Sequence, residues 1–196
     1  MQIDSVFLIE SQYIKSLYPF SILHCGWELR LGSLKYYEQV QKLFSDARLI
    51  FNAREKHLKS FLARNRHDDQ SIKKENILIL NSGVLPEESF FEAIDKKYSE
   101  HSKNPGFSKS ALFTYQGMPL AALITAEDII NPGQFDNVFL PKIFSEFNRL
   151  LPNIEIEQPN VINYLWDTLD IVGEQISNTF KFFENILTVS HLWRFP

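Results

Sequence analysis

The run Ile77-Leu78-Ile79-Leu80 constrains this chain more than any other feature. Four consecutive aliphatic side chains, broken at once by Asn81-Ser82-Gly83, read as a buried strand. Val6-Phe7-Leu8-Ile9 has the same character, and Ala47-Arg48-Leu49-Ile50-Phe51 reads as a further strand. Helical spacing separates the three. Leu34, Tyr37, Val40 and Phe44 follow Ser33, which resembles an N-cap, and Leu58, Phe61 and Leu62 share one helix face. Alternating strands and helices build an α/β domain. The predicted class is a mixed, mostly parallel sheet with helices on both faces.

Further along, Pro86 with Glu87 and Glu88 reads as a helix start, because a proline in the first turn and acids near the positive end both suit that place. Phe90, Phe91, Ile94 and Tyr98 give that helix its apolar face. Residues 99–106 read as a loop. Residues 111–115 and 120–124 flank Gln116-Gly117-Met118-Pro119 as a hairpin. Pro141 opens a helix with Ile143, Phe144, Phe147 and Leu151 inward, and residues 161–187 read as helical with an interruption near Gly173. Ligands of such sheets bind beyond the carboxyl ends of the strands. That rim comprises residues 10–12, 52–54 and 81–83.

The 196 residues, 44% of them hydrophobic, suit a single globular domain, 1–196. A formal charge of −4 argues against general nucleic-acid or membrane-surface binding. No apolar stretch reaches the length of a membrane span, and the N-terminus lacks the basic region of a signal peptide. The single cysteine, Cys25, rules out an intrachain disulfide and fits a reducing compartment. The expectation is a soluble cytoplasmic domain.

Leu17-Tyr18-Pro19-Phe20-Ser21 followed by Glu28-Leu29-Arg30-Leu31-Gly32, then Leu80-Asn81-Ser82-Gly83-Val84-Leu85-Pro86, then Leu165-Trp166-Asp167 and Val172-Gly173-Glu174-Gln175-Ile176, form an ordered set. In order and spacing the set resembles the N-terminal domain of a family of sugar nucleotidyltransferases, distant relatives of N-acetylglucosamine-1-phosphate uridyltransferase. The resemblance implies a nucleotide-diphospho-sugar transferase fold. It also implies a reaction in which a sugar 1-phosphate attacks a nucleoside triphosphate and releases pyrophosphate, with Mg²⁺ if catalysis is retained. Arg30 and Lys15 would be the phosphate-holding catalytic residues. His24, Asn81, Ser82, Gly83 and Asp167 would lie against the nucleotide or nucleotide sugar. Fuller members continue into a hexapeptide-repeat domain that nothing here resembles, so a fragment or a stand-alone version is expected, with a homo-oligomer or docking to a missing C-terminal domain as possible assemblies.

The sequence departs from that pattern where charge is needed. The first strand leads into Ser11-Gln12-Tyr13-Ile14-Lys15, which has no glycine. The family's Thr-Arg-Pro corresponds to Leu23-His24-Cys25, which exchanges an arginine for a histidine that is mostly neutral at pH 7. Asn81 stands where the superfamily has a metal-binding Asp, so the metal ligands are unassigned. These departures favour an alternative: a catalytically inactive relative acting as a ligand sensor or protein-interaction module. Against the functional readings stand plainer ones. The plainer reading of Arg30 is an ion pair with Glu28 or another acid; Trp166 is expected to pack on the sheet; the basic stretch 54–74 reads as a solvated helix and loop. Phe180, Phe182 and Phe183 read as core or as a docking surface.

Overall fold

The computed structural model describes residues 3–65, 70–104, 106, 108–128 and 140–190. Its strands are β1 (Ser5–Ile9), β2 (Arg30–Leu31), β3 (Leu34–Lys35), β4 (Arg48–Asn52), β5 (Ile77–Asn81), β6 (Ala111–Tyr115), β7 (Met118–Ile124) and β8 (Asn153–Glu155). Its α-helices are α1 (Tyr36–Leu43), α2 (Glu55–Asn65), α3 (Glu88–His101), α4 (Leu140–Leu150) and α5 (Asp167–Ser190).

Strands β4, β1, β5, β7, β6 and β8 form one sheet in that order, while β2 and β3 form a separate hairpin. The three strands read from aliphatic runs lie side by side and parallel, with Ile9 level with both Asn52 and Asn81. They therefore end at a common mouth. Strand β7 runs antiparallel to both β5 and β6, and β8 runs parallel to β6. The sheet is thus mixed and mainly parallel.

Alternation along each strand sends side chains to opposite faces. Val6, Leu8, Leu49, Phe51, Leu78 and Leu80 meet Val40 of α1, Phe61 of α2, and Phe90 and Ile94 of α3. Phe7, Ile9, Ile50, Ile77 and Ile79 meet Phe144 and Phe147 of α4. Helices cover both faces, as the alternation requires. On the first face Trp27, Phe51 and Phe61 pack ring to ring at 4.8–5.7 Å between centroids. Burying such rings contributes about 1.5–3 kcal/mol each.

Several boundaries differ from the sequence reading. Helix α1 starts at Tyr36, not after Ser33, because Leu34 and Lys35 pair with Leu31 and Arg30. The Lys35 N–H donates to Glu38 Oε2 at 2.7 Å, so a glutamate in the first turn sets the start. Helix α3 begins two residues after Pro86, since Glu87 is extended (φ −104°, ψ 149°), and it runs to His101, taking in the first three residues of the predicted loop. Helix α5 passes through Gly173 without a break. Residues 161–166, read as helical, precede α5: Leu85 N–H donates to the Asn160 carbonyl at 2.8 Å and Ile162 N–H to the Gly83 carbonyl at 2.7 Å, and the helix begins only at Asp167.

The hairpin turn is tighter than its sequence suggests. Gln116 and Gly117 have φ of 49° and 77°, the two-residue turn that matches strand twist, so Met118 and Pro119 join β7. Strand β8 was not anticipated; only Ile154 of its three residues is buried. Along the outer edge of β4, Phe51 N–H donates to Gln70 Oε1 at 2.8 Å and Arg48 Nη1 to the Ser71 carbonyl at 2.7 Å. The side chains of Ile143, Phe182 and Phe183 lie outside the described residues.

Candidate functional site

The mouth is built from the residues that follow β1, β4 and β5. Glu10 succeeds Ile9 and is almost fully buried. A buried carboxylate needs a partner, and Arg54, two residues past β4, supplies it. Arg54 Nε donates to Glu10 Oε2 at 2.9 Å and Nη2 to Glu10 Oε1 at 3.1 Å. The same guanidinium donates from Nη1 to the Ser21 carbonyl at 2.7 Å and from Nη2 to the His24 carbonyl at 2.9 Å. Gly26 N–H also donates to Glu10 Oε1, at 3.2 Å. The segment after β1 is thereby drawn down over the strand ends through three short 3-10 turns, at Ile14–Leu17, Phe20–Ile22 and Gly26–Glu28.

A second ion pair fastens the same segment. Glu28 is buried, and its Oε1 receives Arg64 Nη2 of α2 at 2.7 Å, while its Oε2 receives Cys25 N–H at 2.9 Å. His24 Nδ1 lies 3.5 Å from Glu28 Oε1, and its ring stacks on Phe20 at 4.9 Å. Arg54 and Arg64 therefore anchor this segment, and a solvated basic stretch does not describe them. Nor does Glu28 pair with Arg30.

The turn after β5 is equally self-contained. Asn81 Nδ2 donates to the Pro119 carbonyl at 2.9 Å, and Asn81 Oδ1 accepts Gly83 N–H at 2.9 Å. The Asn81 carbonyl accepts the Tyr36 hydroxyl at 3.2 Å. Ser82 N–H donates to the Ile9 carbonyl at 2.8 Å, and Ser82 Oγ accepts Ser11 N–H at 3.1 Å. A side chain at Gly83 would place its Cβ 2.7 Å from Ser11 Oγ. Glycine here permits close contact between two turns of the protein itself.

The structure thus brings His24, Asn81, Ser82 and Gly83 together around Glu10 and Arg54. Arg30 sits on the β2–β3 hairpin, exposed, with Nη1 donating to the Ser33 carbonyl at 2.5 Å. That hairpin packs on α5: a Cβ at Gly32, whose φ is +71°, would stand 3.0 Å from the Gln175 and Ile176 backbone. Lys15 is exposed in the first 3-10 turn and has no ion-pair partner among the described residues. Asp167 closes its own turn, with Oδ2 accepting Asn163 N–H at 2.8 Å and Tyr164 N–H at 2.9 Å. Trp166 does not pack on the sheet. It is 60% exposed and stacks on Tyr164 at 4.6 Å with the rings 6° from parallel.

Burial pushes the Cys25 thiol up, and the Glu10 and Glu28 carboxylates push it the same way. A thiol held protonated and enclosed is no nucleophile. The donor set at the mouth does not fit a divalent cation, because both oxygens of Glu10 are taken by Arg54 and Asn81 Oδ1 by Gly83. Among the described residues no three His, Cys, Asp or Glu side chains gather where an ion could sit. The Glu10–Arg54 pairing was hidden in the sequence by the 44-position separation of the two. Its only signal was that both fall on the predicted rim.

Residues 6–186 match the family described as sugar nucleotidyl transferase. The chain belongs to that family. A search of curated proteins found no match. Among solved structures, a candidate glucose-1-phosphate thymidylyltransferase from Bacillus anthracis, determined with sucrose, is 7% identical over 88% of this chain and 95% of that chain, with a TM-score of 0.48. A protein from Mycobacterium sp. strain JC1 is 11% identical over 90% of this chain and 99% of that chain, with a TM-score of 0.45. A candidate nucleotide-diphospho-sugar transferase from Desulfovibrio desulfuricans G20 is 13% identical over 85% of each, with a TM-score of 0.38. Membership of the sugar nucleotidyl transferase family rests on the match to residues 6–186. No helix among the described residues is long and apolar enough to cross a membrane.

Proposed function

We propose that this chain is a member of the sugar nucleotidyl transferase family that does not transfer nucleotides and has kept the fold as an interaction module. One observation carries the reading: the arginine nearest the strand ends spends its guanidinium on Glu10 and on the Ser21 and His24 carbonyls. A phosphate-gripping arginine must present free N–H groups to its ligand. The N–H groups of Ser82 and Gly83, which a nucleotide would need, are spent within the chain as well. Losing one well-placed charge-stabilising donor costs about 3–4 kcal/mol of transition-state stabilisation. Several such losses leave no useful turnover.

Lys15 and Arg30 favour a second reading, in which both remain available to phosphate and the chain transfers a nucleotide to a sugar 1-phosphate with Mg²⁺ or binds the nucleotide sugar. A pyrophosphate-release assay over a panel of nucleoside triphosphates and sugar 1-phosphates, on folded protein with Mg²⁺, separates the two. Pyrophosphate above the protein-free rate with any pair overturns the first reading. A thermal-shift series tests ligand sensing: a nucleotide sugar at 100 times its Kd adds about 2.7 kcal/mol. No shift with any nucleotide or nucleotide sugar leaves the interaction module.

A further inference from the structure

Helix α5 turns opposite sides inward and outward. Ile171 and Gln175 face the body of the protein: Ile171 packs on the first core, and Gln175 is buried with Nε2 donating to Glu87 Oε1 at 2.9 Å. The other side carries Leu169, Ile176 and Phe180, exposed by 72%, 39% and 63%, and Trp166, one residue before the helix, is 60% exposed. At 3.6 residues per turn Leu169, Ile176 and Phe180 align with Gly173 in a single stripe, and Trp166, in the turn that leads into the helix, extends its N-terminal end to about 21 Å from Phe180 along the chain's helical rise. Trp166 lies seven residues before Gly173 and Phe180 seven after it.

Among the described residues nothing packs against Gly173. Apart from its chain neighbours and the backbone of its own helix turns, no described atom lies within 4 Å of where its Cβ would be. A glycine inside an unbroken helix costs about 1 kcal/mol relative to alanine. Here it opens a notch midway between two large rings.

We infer that a second copy of this chain covers the stripe, its α5 crossing antiparallel at Gly173 about a two-fold axis. The equal spacing makes the surface self-complementary, because antiparallel pairing sets Trp166 of each copy against Phe180 of the other. With Tyr164 and Val172 added, the exposed area is about 600 Å² per copy, so full coverage of the patch on both copies buries about 1,200 Å², the lower bound for a stable interface. The missing side chain at Gly173 lets the helix backbones approach where they cross. Pairing through α5 is independent of whether the mouth turns over a nucleotide.

Sedimentation of the full chain across the micromolar range tests this. The wild type is expected to go from monomer to dimer, and Leu169→Glu to remain monomeric. Gly173→Leu is the decisive variant. It fills open space and favours helix, so thermal unfolding at low concentration should not fall, while the dimer Kd rises about tenfold or more. An orientation test mixes Trp166→Cys chains with Phe180→Cys chains under oxidation, where the mixed disulfide should dominate. A wild type that stays monomeric overturns the inference. So does a dimer indifferent to, or tightened by, Gly173→Leu, and so does preferential crosslinking of Trp166→Cys chains to one another.

Discussion

The Arg54 guanidinium holds the Glu10 carboxylate in a two-point grip, Nε to Oε2 at 2.9 Å and Nη2 to Oε1 at 3.1 Å, at the end of the central strand. The pair links β1 to the start of α2, and through the Ser21 and His24 carbonyls it holds the covering segment as well. Removing one member leaves the other poorly paired. Glu10→Gln is expected to cost about 2–4 kcal/mol in urea unfolding, less than a fully enclosed pair because a third of the Arg54 side chain meets solvent. Arg54→Lys should not restore the loss, because an ammonium cannot reproduce the fork. Both variants unfolding within about 0.5 kcal/mol of wild type would contradict this role.

Cys25 makes stability depend on alkaline pH. Burial first, then Glu10 and Glu28, keep the thiol protonated in the fold above its ordinary value of 9.0. The unfolded chain ionises near that value, so the contribution is complete below it and is lost as pH rises above it. Tyr36, raised by burial alone, acts with the same sign above 10.0. The urea midpoint should fall from about pH 8.5 upward, and Cys25→Ala should flatten the first part of that fall. Iodoacetamide should label Cys25 only at the rate of unfolding. Rapid labelling of the native protein would show the thiol to be accessible.

Gly83 and Ser11 must be small together. An alanine Cβ at position 83 meets Ser11 Oγ at 2.7 Å and Ser11 Cβ at 3.2 Å. Gly83→Ala is expected to cost about 1–3 kcal/mol by overpacking, and Ser11→Gly in the same chain should recover part of it. Recovery is incomplete because Ser11 Oγ also accepts Tyr13 N–H at 3.2 Å. Purely additive losses in a double-mutant cycle would refute the contact.

The order of elements was legible because it rests on local signals. Aliphatic runs of four or five residues, such as Ile77-Leu78-Ile79-Leu80, specify buried strands without regard to the rest of the chain. The level ending of β1, β4 and β5 follows from that same pattern. What escaped depends on distance in sequence. Residues 161 and 162 form no helix because the backbone from Gly83 to Leu85 pairs with 160–162, and β8 exists because β6 offers an edge. At the mouth, the rim positions were readable, but whether Arg54 faces a ligand or Glu10 depends on a fold that closes 44 positions. Trp166 was expected inside because tryptophan usually is; its neighbour Tyr164 gives it an outward stack instead.

Asp167 separates a structural role from a binding one. Its Oδ2 accepts two backbone N–H groups where α5 begins. Asp167→Ala should cost about 1 kcal/mol, as losing a capping side chain does. Hydrogen exchange should quicken at Asn163 and Tyr164, and any nucleotide-sugar affinity should stay unchanged. A variant with native exchange and weakened ligand binding would place Asp167 in the ligand site.

The crosspiece formed by Gln70 and Ser71 along β4 has a bearing on how this protein behaves when crowded. A bare outer strand invites other chains to extend the sheet, the first step toward fibrillar deposits. Here one margin has a foreign amide lodged in its ladder and the other ends in a three-residue strand. Concentrated solutions should therefore stay clear of cross-β growth.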